Sequence, residues 1–455
     1  MPKRLTLIAS DFVAFYAALA AVLIIRYGLD DFGSQWAIHI APFSVLLAVW
    51  ILALYIANLY DTRIMRNDRV FFERLGQAMI IAAISSLVLF YLIPFFGITP
   101  KLNLFLFLIA LALLMWGMRT VYNIIIAGGS KKRLLFIGVN EETLDLARMI
   151  SDNPQFGYRT AALVRVGQES LTDSDITGPW DVLDERADLV AYITDKHVDV
   201  AVVSPQAYGN DDLIGMLYSA RGLQMDFITL VAFAEQLTGR VPLSVISQQW
   251  FLENVSENAK RPYEAAKRVM DVVAALVLGA VTLALTPFIV LAIWIDSPGY
   301  PFIHQKRTGL HGRPFTLLKF RSMVPDAEQK TGAVWAYERD PRITRVGSFL
   351  RTTRLDELPQ LWNILRGDIS LVGPRAERPE FDLQLGTGIP FYYERYFIKP
   401  GLTGWAQINY PYGASPQDAM EKLQYDLYYI KHRSLALDME IILKTISISL
   451  RRAGR

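Results

Sequence analysis

Four long apolar runs without charged side chains fill most of the first 130 residues. They are Phe12–Ile25, Phe32–Tyr60, Leu75–Pro100 and Leu102–Met118. A bilayer core about 30 Å thick is crossed by about 20 residues of α-helix. The second and third runs are long enough alone, whereas the first is shorter and the last becomes long enough by running past Arg119 to Ala127. We place the spans near residues 5–26, 37–59, 78–97 and 103–125. Residues 1–130 are therefore predicted to form a four-helix transmembrane bundle.

The Lys and Arg residues of the short loops predict the orientation of this bundle, because cytoplasmic loops carry more of them. One side of the predicted bundle holds Lys3, Arg4, Arg63, Arg66, Arg69, Arg74, Lys131, Lys132 and Arg133. The other side holds only Arg26 and Lys101. Both ends of the bundle should therefore face the cytoplasm. A cleaved signal peptide is the alternative for the first run, and the three further spans argue against it.

From Lys131 onward, short β-branched runs alternate with polar, helix-like segments, which is typical of an α/β domain. We predict strands over 133–139, 161–166, 198–204 and 224–229, with a helix over 141–150. This order is Rossmann-like, and we assign residues 131–255 to it. The first turn, which starts at Gly138, lacks the G-x-G-x-x-G pattern that lets a backbone approach a pyrophosphate. We therefore expect a structural or regulatory domain without a bound dinucleotide.

A fifth apolar segment, Val272–Ile295, contains 24 uncharged residues and is long enough to span. A span here would put the basic C-terminal region outside the cell, against the charge rule. Pro287 removes a backbone donor and clashes with the preceding turn. We favour a re-entrant helix over about 265–295 that breaks at Pro287, with a proline-kinked span as the alternative. It belongs to a third domain, residues 256–455, predicted to be mainly helical and monotopic.

The formal charge of +2 conceals three different segments. Residues 1–130 carry +3, residues 131–259 carry −9 and residues 260–455 carry +8. The acidic middle segment argues against nucleic acid as a partner, and the basic C-terminal segment suits the anionic headgroups of a lipid bilayer. The chain has no cysteine and five scattered histidines, which excludes thiolate chemistry and argues against a histidine-rich metal site.

The densest candidate chemistry is the segment RTTRLDELPQLWNILRGDISLVGPRAER, which begins at Arg351. Apolar residues at helical spacing predict an amphipathic helix with Asp356 and Glu357 near its start. There the helix dipole, Arg351 and Arg354 would keep a carboxylate ionised. Such a carboxylate can act as a nucleophile towards a phosphoryl group or as a metal ligand.

Helix capping is the structural alternative for this pair. Thr353 and Asp356 have the spacing of a capping box. Pro359 would then fall inside the helix, so the helix would have to start later. The pattern alone leaves function and capping open.

Other residues nearby indicate a site for phosphate. Gly373-Pro374-Arg375 supplies a tight turn followed by a guanidinium that can bind phosphate through two hydrogen bonds. Further cations stand at Lys319, Arg321, Arg366 and Arg378. Asp426 and Asp438 are later carboxylates that could complete a Mg²⁺ site, since Mg²⁺ prefers oxygen ligands and phosphate. Most aspartates of this kind lie at the surface or cap helices.

These residues resemble those of the bacterial polyprenyl-phosphate hexose-1-phosphate transferases, the large monotopic phosphoglycosyl transferases. The shared motifs occur in order as KRVMD, QKRTGLHGRPFTLLKFRSM, TRLDELPQLWNILRGDISLVGPR, KPGLTGWAQ and YDLYYIKHRSLALD. The predicted bundle and Rossmann-like domain also resemble the large members of the family. After Gln407 the chain reads INYPYG where many relatives have an Asn-Gly-Arg segment, which leaves the identity of the sugar open.

The resemblance implies an enzyme of the bacterial inner membrane, with its catalytic domain on the cytoplasmic face. Asp356 would attack the β-phosphate of a UDP-hexose, release UMP and hold the phosphosugar until undecaprenyl phosphate accepts it. Glu357 would bind a Mg²⁺ cofactor, with Asp438 as a further carboxylate, and Arg351 and Arg375 would bind phosphate. The reaction would initiate exopolysaccharide, capsule or O-antigen biosynthesis. The family also makes a homodimer an expectation.

Two other functions stay open on the residues alone. One is a catalytically idle membrane scaffold or sensor of polysaccharide assembly, whose middle domain reads a ligand and whose basic domain binds anionic lipid. The other is a transferase that moves a hexose without phosphate and releases UDP instead of UMP. The intact Asp356-Glu357 pair argues against the scaffold.

Overall fold

The computed structural model describes residues 2–61, 65, 67–92, 101–167, 175–185, 187–219, 225–255, 260–325, 327, 340–411, 413 and 415–450. The chain divides into two compact units, Met1–Leu230 and Val231–Arg455. Parts of four predicted features lie outside the described residues: Arg63 and Arg66 of the basic loop, residues 93–97 of the third span, Gln224 of the last strand, and Tyr412 of the INYPYG segment. The division into three domains stays a prediction.

Four long helices occupy the positions of the four apolar runs. They are α1 (Pro2–Tyr27), α2 (Phe32–Ile56), α3 (Arg69–Leu92) and α4 (Lys101–Gly128). Their facing sides bury aromatic side chains such as Phe15, Trp50 and Phe107, and their outer sides are apolar as well. Helices that are apolar on all sides are typical of a lipid environment. All four are long and apolar enough to cross a membrane.

The third helix begins earlier than the predicted span at residue 78. Asp68 accepts a hydrogen bond from the backbone nitrogen of Phe71 at 2.7 Å and so satisfies a free donor of the first turn. The polar turn before the apolar run is therefore helical too, which hydrophobicity alone does not indicate.

A buried ion pair joins the first and fourth helices. Arg119 Nη2 lies 2.6 Å from Asp11 Oδ2, and the two side chains are 2% and 4% exposed. Arg119 Nη1 also donates a hydrogen bond to the backbone carbonyl of Leu59 at 3.2 Å. A charge left without its partner in such surroundings is strongly unfavourable, so the pair fixes α1 against α4.

The N-terminal unit, Met1–Leu230, also contains the predicted α/β domain. The parallel sheet of this domain is confirmed. Five parallel strands lie in the order β3-β2-β1-β4-β5. The strands are β1 (Lys132–Ile137), β2 (Tyr158–Val164), β3 (Asp181–Leu183), β4 (Val200–Val203) and β5 (Asp226–Thr229). The helices between them are α5 (Glu141–Asp152), α6 (Leu189–Lys196) and α7 (Asp211–Ser219).

Close packing explains why the first turn of the α/β domain has a glycine, Gly138. Gly138 adopts φ +90°, and a Cβ at this position would lie 1.9 Å from Ser204 Oγ. The next residue but one, Asn140, accepts a hydrogen bond from the backbone nitrogen of Thr143 and caps α5. Close approach to the end of β4 therefore accounts for this glycine.

The C-terminal unit is mainly helical, with two small sheets. Its helices are α8 (Leu230–Thr238), α9 (Gln248–Asn254), α10 (Arg261–Asp296), α11 (Arg345–Thr353), α12 (Gln360–Arg366), α13 (Pro379–Gly388), α14 (Trp405–Asn409), α15 (Pro416–His432) and α16 (Leu435–Leu450). Its strands are the antiparallel pair β6 (Phe302–Thr308) and β7 (Pro314–Phe320), and the parallel pair β8 (Ser370–Val372) and β9 (Gly401–Thr403).

The segment that contains α8 and α9 is attached to this unit by polar contacts. Glu235 of α8 is buried and accepts hydrogen bonds from Lys431 and His432 at the end of α15, each at 2.8 Å. Trp405 Nε1 donates a hydrogen bond to the carbonyl of Gly239 at 2.7 Å. These residues therefore pack with the C-terminal unit.

The fifth apolar segment forms the 36-residue helix α10, which is continuous through Pro287. The helix is therefore not interrupted at Pro287, where a break was predicted. A proline inside a helix removes only one backbone hydrogen bond, so the helix can continue. The Thr286 hydroxyl donates to the carbonyl of Thr282 at 2.7 Å in the turn before the proline. Both ends of α10 have buried residues, whereas most apolar side chains over 276–288 are exposed.

We expect Arg119→Ala to lower the free energy of unfolding by roughly 3–5 kcal/mol, because Asp11 would remain buried without a partner. Chemical unfolding of the full-length protein in detergent micelles measures this change. The control is Arg69→Ala, which removes the exposed ion pair with Glu73 and should have little effect. Equal effects of both substitutions would contradict the assigned role of the buried pair.

Candidate active site

Asp356 and Glu357 lie on a short 3₁₀ turn, Leu355–Glu357, between α11 and α12. Arg354 precedes the turn with φ +60°, a left-handed conformation that is uncommon for a residue other than glycine. Helix α12 begins only at Gln360, after Pro359. The pair therefore lies just before the start of α12, and the later helix start that Pro359 suggested is correct.

The capping alternative does not fit the hydrogen bonds. The Thr353 hydroxyl donates back to the carbonyls of Phe349 and Leu350 in α11, at 2.8 and 3.3 Å. It therefore bonds within the preceding helix and does not cap the turn that carries Asp356.

Glu357 is buried and is surrounded by cations from three different elements. Its Oε1 accepts a hydrogen bond from Arg375 Nη2 at 2.7 Å, and lies 3.7 Å from Lys319 Nζ and 3.6 Å from Arg354 Nη1. Burial favours the protonated acid, but Arg375, Lys319 and Arg354 outweigh it and hold the pKa of Glu357 well below its usual range. Glu357 is therefore a permanent negative charge.

Asp356 is also buried, but its surroundings differ from those of Glu357. Its Oδ1 forms no hydrogen bond within the described residues. Burial, together with the adjacent charge of Glu357, raises the pKa of Asp356 to about 6, against the opposing effect of Lys319, Arg351 and Arg354. The two neighbouring carboxylates thus have different roles available, one fixed as an anion and one that titrates near neutral pH.

Lys319 reaches the pair from strand β7. Its burial lowers the pKa of the ammonium group to about 8, with Glu357 acting in the opposite direction. The position of β7 is fixed by Asn363 of α12, which accepts a hydrogen bond from the backbone nitrogen of Leu318 at 3.0 Å and donates one to the carbonyl of Thr316 at 2.8 Å. Asn363 is fully buried and is a positioning residue that the sequence analysis missed.

Arg375 is positioned by a close packing of glycines. A Cβ on Gly401 would lie 2.0 Å from the backbone nitrogen of Gly373, and a Cβ on Gly404 would lie 2.2 Å from the Gly373 carbonyl oxygen. Only glycine permits this approach of the β8 and β9 ends. The turn Gly373-Pro374-Arg375 therefore directs the guanidinium to Glu357.

Behind this turn, the predicted carboxylate Asp426 forms a buried ion pair. Arg395 Nη2 lies 2.9 Å from Asp426 Oδ2 and also donates to the carbonyl of Arg375 at 3.1 Å. Asp426 is 1% exposed. It supports the backbone of Arg375 through Arg395, which the sequence analysis did not single out.

The other predicted phosphate-binding cations are placed as follows. Arg351 lies on α11, close enough to Asp356 to influence its pKa. Arg321 is buried and donates to the carbonyl of Ser297 at the end of α10. Arg378 lies 3.6 Å from Glu380 and over the ring of Phe381. For Arg321 and Arg378 these contacts are structural, and phosphate binding stays a prediction.

Arg307 was not predicted as a site residue, although it lies in the QKRTG motif. With Lys319, Gln360 and Arg375 it lines a small cavity next to the acidic pair. The Gln360 side-chain nitrogen is buried and, like Asp356 Oδ1, forms no hydrogen bond within the described residues. Each of these two buried polar groups lacks a hydrogen-bond partner that a water or a polar ligand could supply.

Asp438, predicted as a metal ligand, is fully buried among other partners. Its Oδ2 accepts hydrogen bonds from Lys267 and Tyr263, each at 2.9 Å, and its Oδ1 accepts one from Tyr429 at 2.6 Å. Over the described ranges, no group of three or more His, Asp or Glu side chains has the arrangement of a metal site. The contribution of Asp438 to a Mg²⁺ site stays a prediction.

A buried acidic pair among cations, in a unit that carries a long apolar helix, is typical of a membrane-associated protein with a polar site. Residues 262–452 match the family model described as bacterial sugar transferase. The chain belongs to this family.

Three relatives illustrate the similarity. A UDP-N-acetylgalactosamine-undecaprenyl-phosphate N-acetylgalactosaminephosphotransferase of Aeromonas hydrophila is 41% identical over 214 residues, covering 47% of this chain and 49% of the relative. A UDP-glucose:undecaprenyl-phosphate glucose-1-phosphate transferase of Xanthomonas campestris pv. campestris is 31% identical, covering 70% and 66%. A UDP-galactose-lipid carrier transferase of Erwinia amylovora is 32% identical, covering 71% and 69%. The chain thus spans about half the length of the first relative and about two thirds of the other two.

We expect Asp356→Asn to stabilise the protein at pH 8 by roughly 1–3 kcal/mol. The folded-state pKa of Asp356 is raised, so its ionisation opposes folding above about pH 6. This penalty disappears below about pH 4, where the group is protonated in both folded and unfolded chains. Unfolding in metal-free detergent solution should therefore show a gain that shrinks as the pH falls from 8 to 4.

The control for this experiment is Asp340→Asn. A hydrogen bond from Arg342 lowers the pKa of Asp340 to about 2, so this substitution should destabilise the protein at pH 8. A loss of stability in Asp356→Asn at pH 8 would show that Asp356 is a structural ion-pair partner.

Proposed function

We propose that this protein transfers a hexose-1-phosphate from a UDP-hexose to undecaprenyl phosphate and releases UMP. The observation that carries the proposal is Asp356, a buried carboxylate with an unpaired oxygen beside a cluster of cations. The relatives are named for transfer of N-acetylgalactosamine phosphate, glucose-1-phosphate and galactose, which supports the reaction class and leaves the sugar open. The reaction would initiate exopolysaccharide, capsule or O-antigen synthesis.

The proposed reaction has two displacements at one phosphorus atom. A carboxylate oxygen of Asp356 forms a bond to the β-phosphorus, and the bond from that phosphorus to the bridging oxygen breaks. UMP leaves with the bridging oxygen and its electron pair. A phosphate oxygen of undecaprenyl phosphate then attacks the same phosphorus, which frees the Asp356 carboxylate and yields an undecaprenyl-diphosphate hexose.

The cations around the pair suit this chemistry. Arg375 and Lys319 lie at Glu357, next to the proposed nucleophile, where they can bind the diphosphate oxygens of the donor. With a pKa of about 6, Asp356 is mostly ionised at neutral pH and is therefore available for attack. The permanent charge on Glu357 prevents the surrounding cations from forming a strong ion pair with Asp356 instead.

A Mg²⁺ ion fits the acidic pair. Mg²⁺ is usually bound by one or two carboxylates together with substrate phosphates, and the unpaired Asp356 Oδ1 next to Glu357 offers such donors. Glu357 would hold the ion with the phosphates of the donor, and the bound ion would neutralise charge on the diphosphate. Because three cations already balance Glu357, we expect the ion to bind mainly together with the nucleotide sugar.

A re-entrant α10 would bring the two substrates to one site. The helix would be about 54 Å long if straight, at 1.5 Å per residue. Its first turns, at Lys267 and Asp271, and its last turns, at Ile289 and Ile293, are buried, while most apolar side chains over 276–288 are exposed. A helix that enters one leaflet of the inner membrane, bends at Pro287 without losing its helical structure, and returns would account for this pattern. The C-terminal unit would then face the cytoplasm.

Purified protein incubated with a UDP-hexose, Mg²⁺ and undecaprenyl phosphate should release UMP, which chromatography identifies. A panel of UDP-glucose, UDP-galactose and UDP-N-acetylgalactosamine tests the donor. Without the acceptor, the intact protein should gain the mass of one hexose-1-phosphate, and Asp356→Asn should lose this adduct and at least 10³-fold of the activity.

The matched substitution is Asp195→Asn, at an exposed aspartate of the N-terminal unit, which should keep full activity. Release of UDP instead of UMP would exclude the phosphosugar mechanism, as would an unchanged rate in Asp356→Asn. No turnover with any donor would favour the scaffold function.

The absence of cysteine makes single-cysteine labelling a direct test of topology. In intact cells, a membrane-impermeant maleimide should fail to label Tyr300→Cys, just after α10, until the cells are permeabilised. Leu29→Cys, in the loop between α1 and α2, is the external control and should be labelled at once, since both positions are exposed in the structure. Labelling of Tyr300→Cys in intact cells would show that α10 spans the membrane.

A further inference from the structure

A second cavity, of about 200 Å³, lies at the first turns of α10 in the C-terminal unit. It shares no lining residue with the small cavity beside Asp356 and Glu357. Four cationic side chains, Lys267, Arg268, Lys399 and Arg433, face two acidic ones in its wall. The excess of positive charge makes an anion the expected occupant.

Three of these cations already have partners. Lys267 lies 2.9 Å from Asp438, and Arg433 lies 3.0 Å from Glu264. Arg268 donates to the carbonyls of Ile364 and Leu365 at the end of α12, at 2.6 and 2.7 Å. Carbonyl groups leave the formal charge of Arg268 unbalanced.

Lys399 differs from the other three. In the part of the chain that the structure describes, it forms no hydrogen bond or ion pair. Its Nζ and the Nη2 of Arg268 both lie 3.6 Å from the Cβ position that Gly367 would have, so the two cationic groups are at most about 7 Å apart. Two cations at this separation repel each other, and an anion bound between them would relieve the repulsion.

The wall also contains an unpaired hydroxyl. Ser370 of β8 is 1% exposed, and its Oγ forms no hydrogen bond within the described residues. A buried hydroxyl is normally hydrogen-bonded, so a bound group is expected to supply the missing partner. This observation is independent of the charges and concerns the same cavity.

We propose that this cavity binds a phosphate group through Lys399, Arg268 and the hydroxyl of Ser370. Phosphate oxygens accept hydrogen bonds from ammonium, guanidinium and hydroxyl groups alike. The phosphate can come from an anionic phospholipid, since the cavity adjoins the start of the apolar helix, or from free phosphate in solution. The site does not depend on the proposed transfer reaction, because it uses none of the residues assigned to that reaction.

The test uses the full-length protein carrying Arg375→Gln, which weakens phosphate binding at the other site. After delipidation in detergent, inorganic phosphate is titrated against the protein, and bound phosphatidylglycerol is counted in parallel by native mass spectrometry. We expect Lys399→Gln in this background to weaken binding about tenfold or more, as loss of a charge-assisted hydrogen bond predicts. Ser370→Ala should weaken binding less, and Lys399→Arg should retain most of it.

Comparison of the two ligands shows whether the phosphate group comes from a phospholipid or from free phosphate. Saturable binding of inorganic phosphate that Lys399→Gln weakens about tenfold or more identifies a site for free phosphate. Retention of phosphatidylglycerol that Lys399→Gln weakens to the same extent, without binding of inorganic phosphate, identifies a lipid headgroup site. The proposal is wrong if neither ligand binds. It is also wrong if Lys399→Gln and Ser370→Ala, with unchanged unfolding temperatures, bind either ligand as tightly as the parent protein does. UMP release by the protein without Arg375→Gln is measured separately, so a failure here does not affect the proposed transfer.

Discussion

The neutralisation of Glu357 is the interaction on which the rest of the C-terminal unit depends. Burial of an ionised carboxylate is unfavourable unless opposite charges lie beside it, and here a single oxygen, Glu357 Oε1, lies 2.7 to 3.7 Å from three cations. Arg354 belongs to the same turn, Lys319 to strand β7 and Arg375 to the loop after β8. The charge of Glu357 therefore fixes the relative positions of three elements that are far apart in sequence.

Further contacts support the elements that Glu357 joins. Asn363 bonds α12 to β7, close glycine contacts hold the β8 and β9 ends together, and Arg395 supports the backbone of Arg375 from behind. These contacts position the site residues without a ligand. Rigid supporting contacts keep a charged centre arranged for its ligand, so little reorganisation is needed on binding.

Asp356 receives less of this compensation, and its position is unfavourable when it is ionised. The same cations that balance Glu357 lie too far away, or are too fully engaged, to pair with Asp356 Oδ1. A carboxylate without a partner is less stable but more available for a bond to a ligand. The difference between the two neighbours arises from geometry, because their side chains are chemically almost the same.

The sequence by itself determined the long apolar helices, the parallel sheet and the segment that carries the acidic pair. Apolar runs, alternating patterns and local motifs act over a few residues, so they are readable along the chain. The contacts of Glu357, the separate surroundings of Asp438 and the place of Arg321 at a helix end were decided only by the tertiary structure. Most of these contacts join residues that lie 18 to 171 positions apart in the chain, and the charge of such a residue depends on which partners folding places beside it.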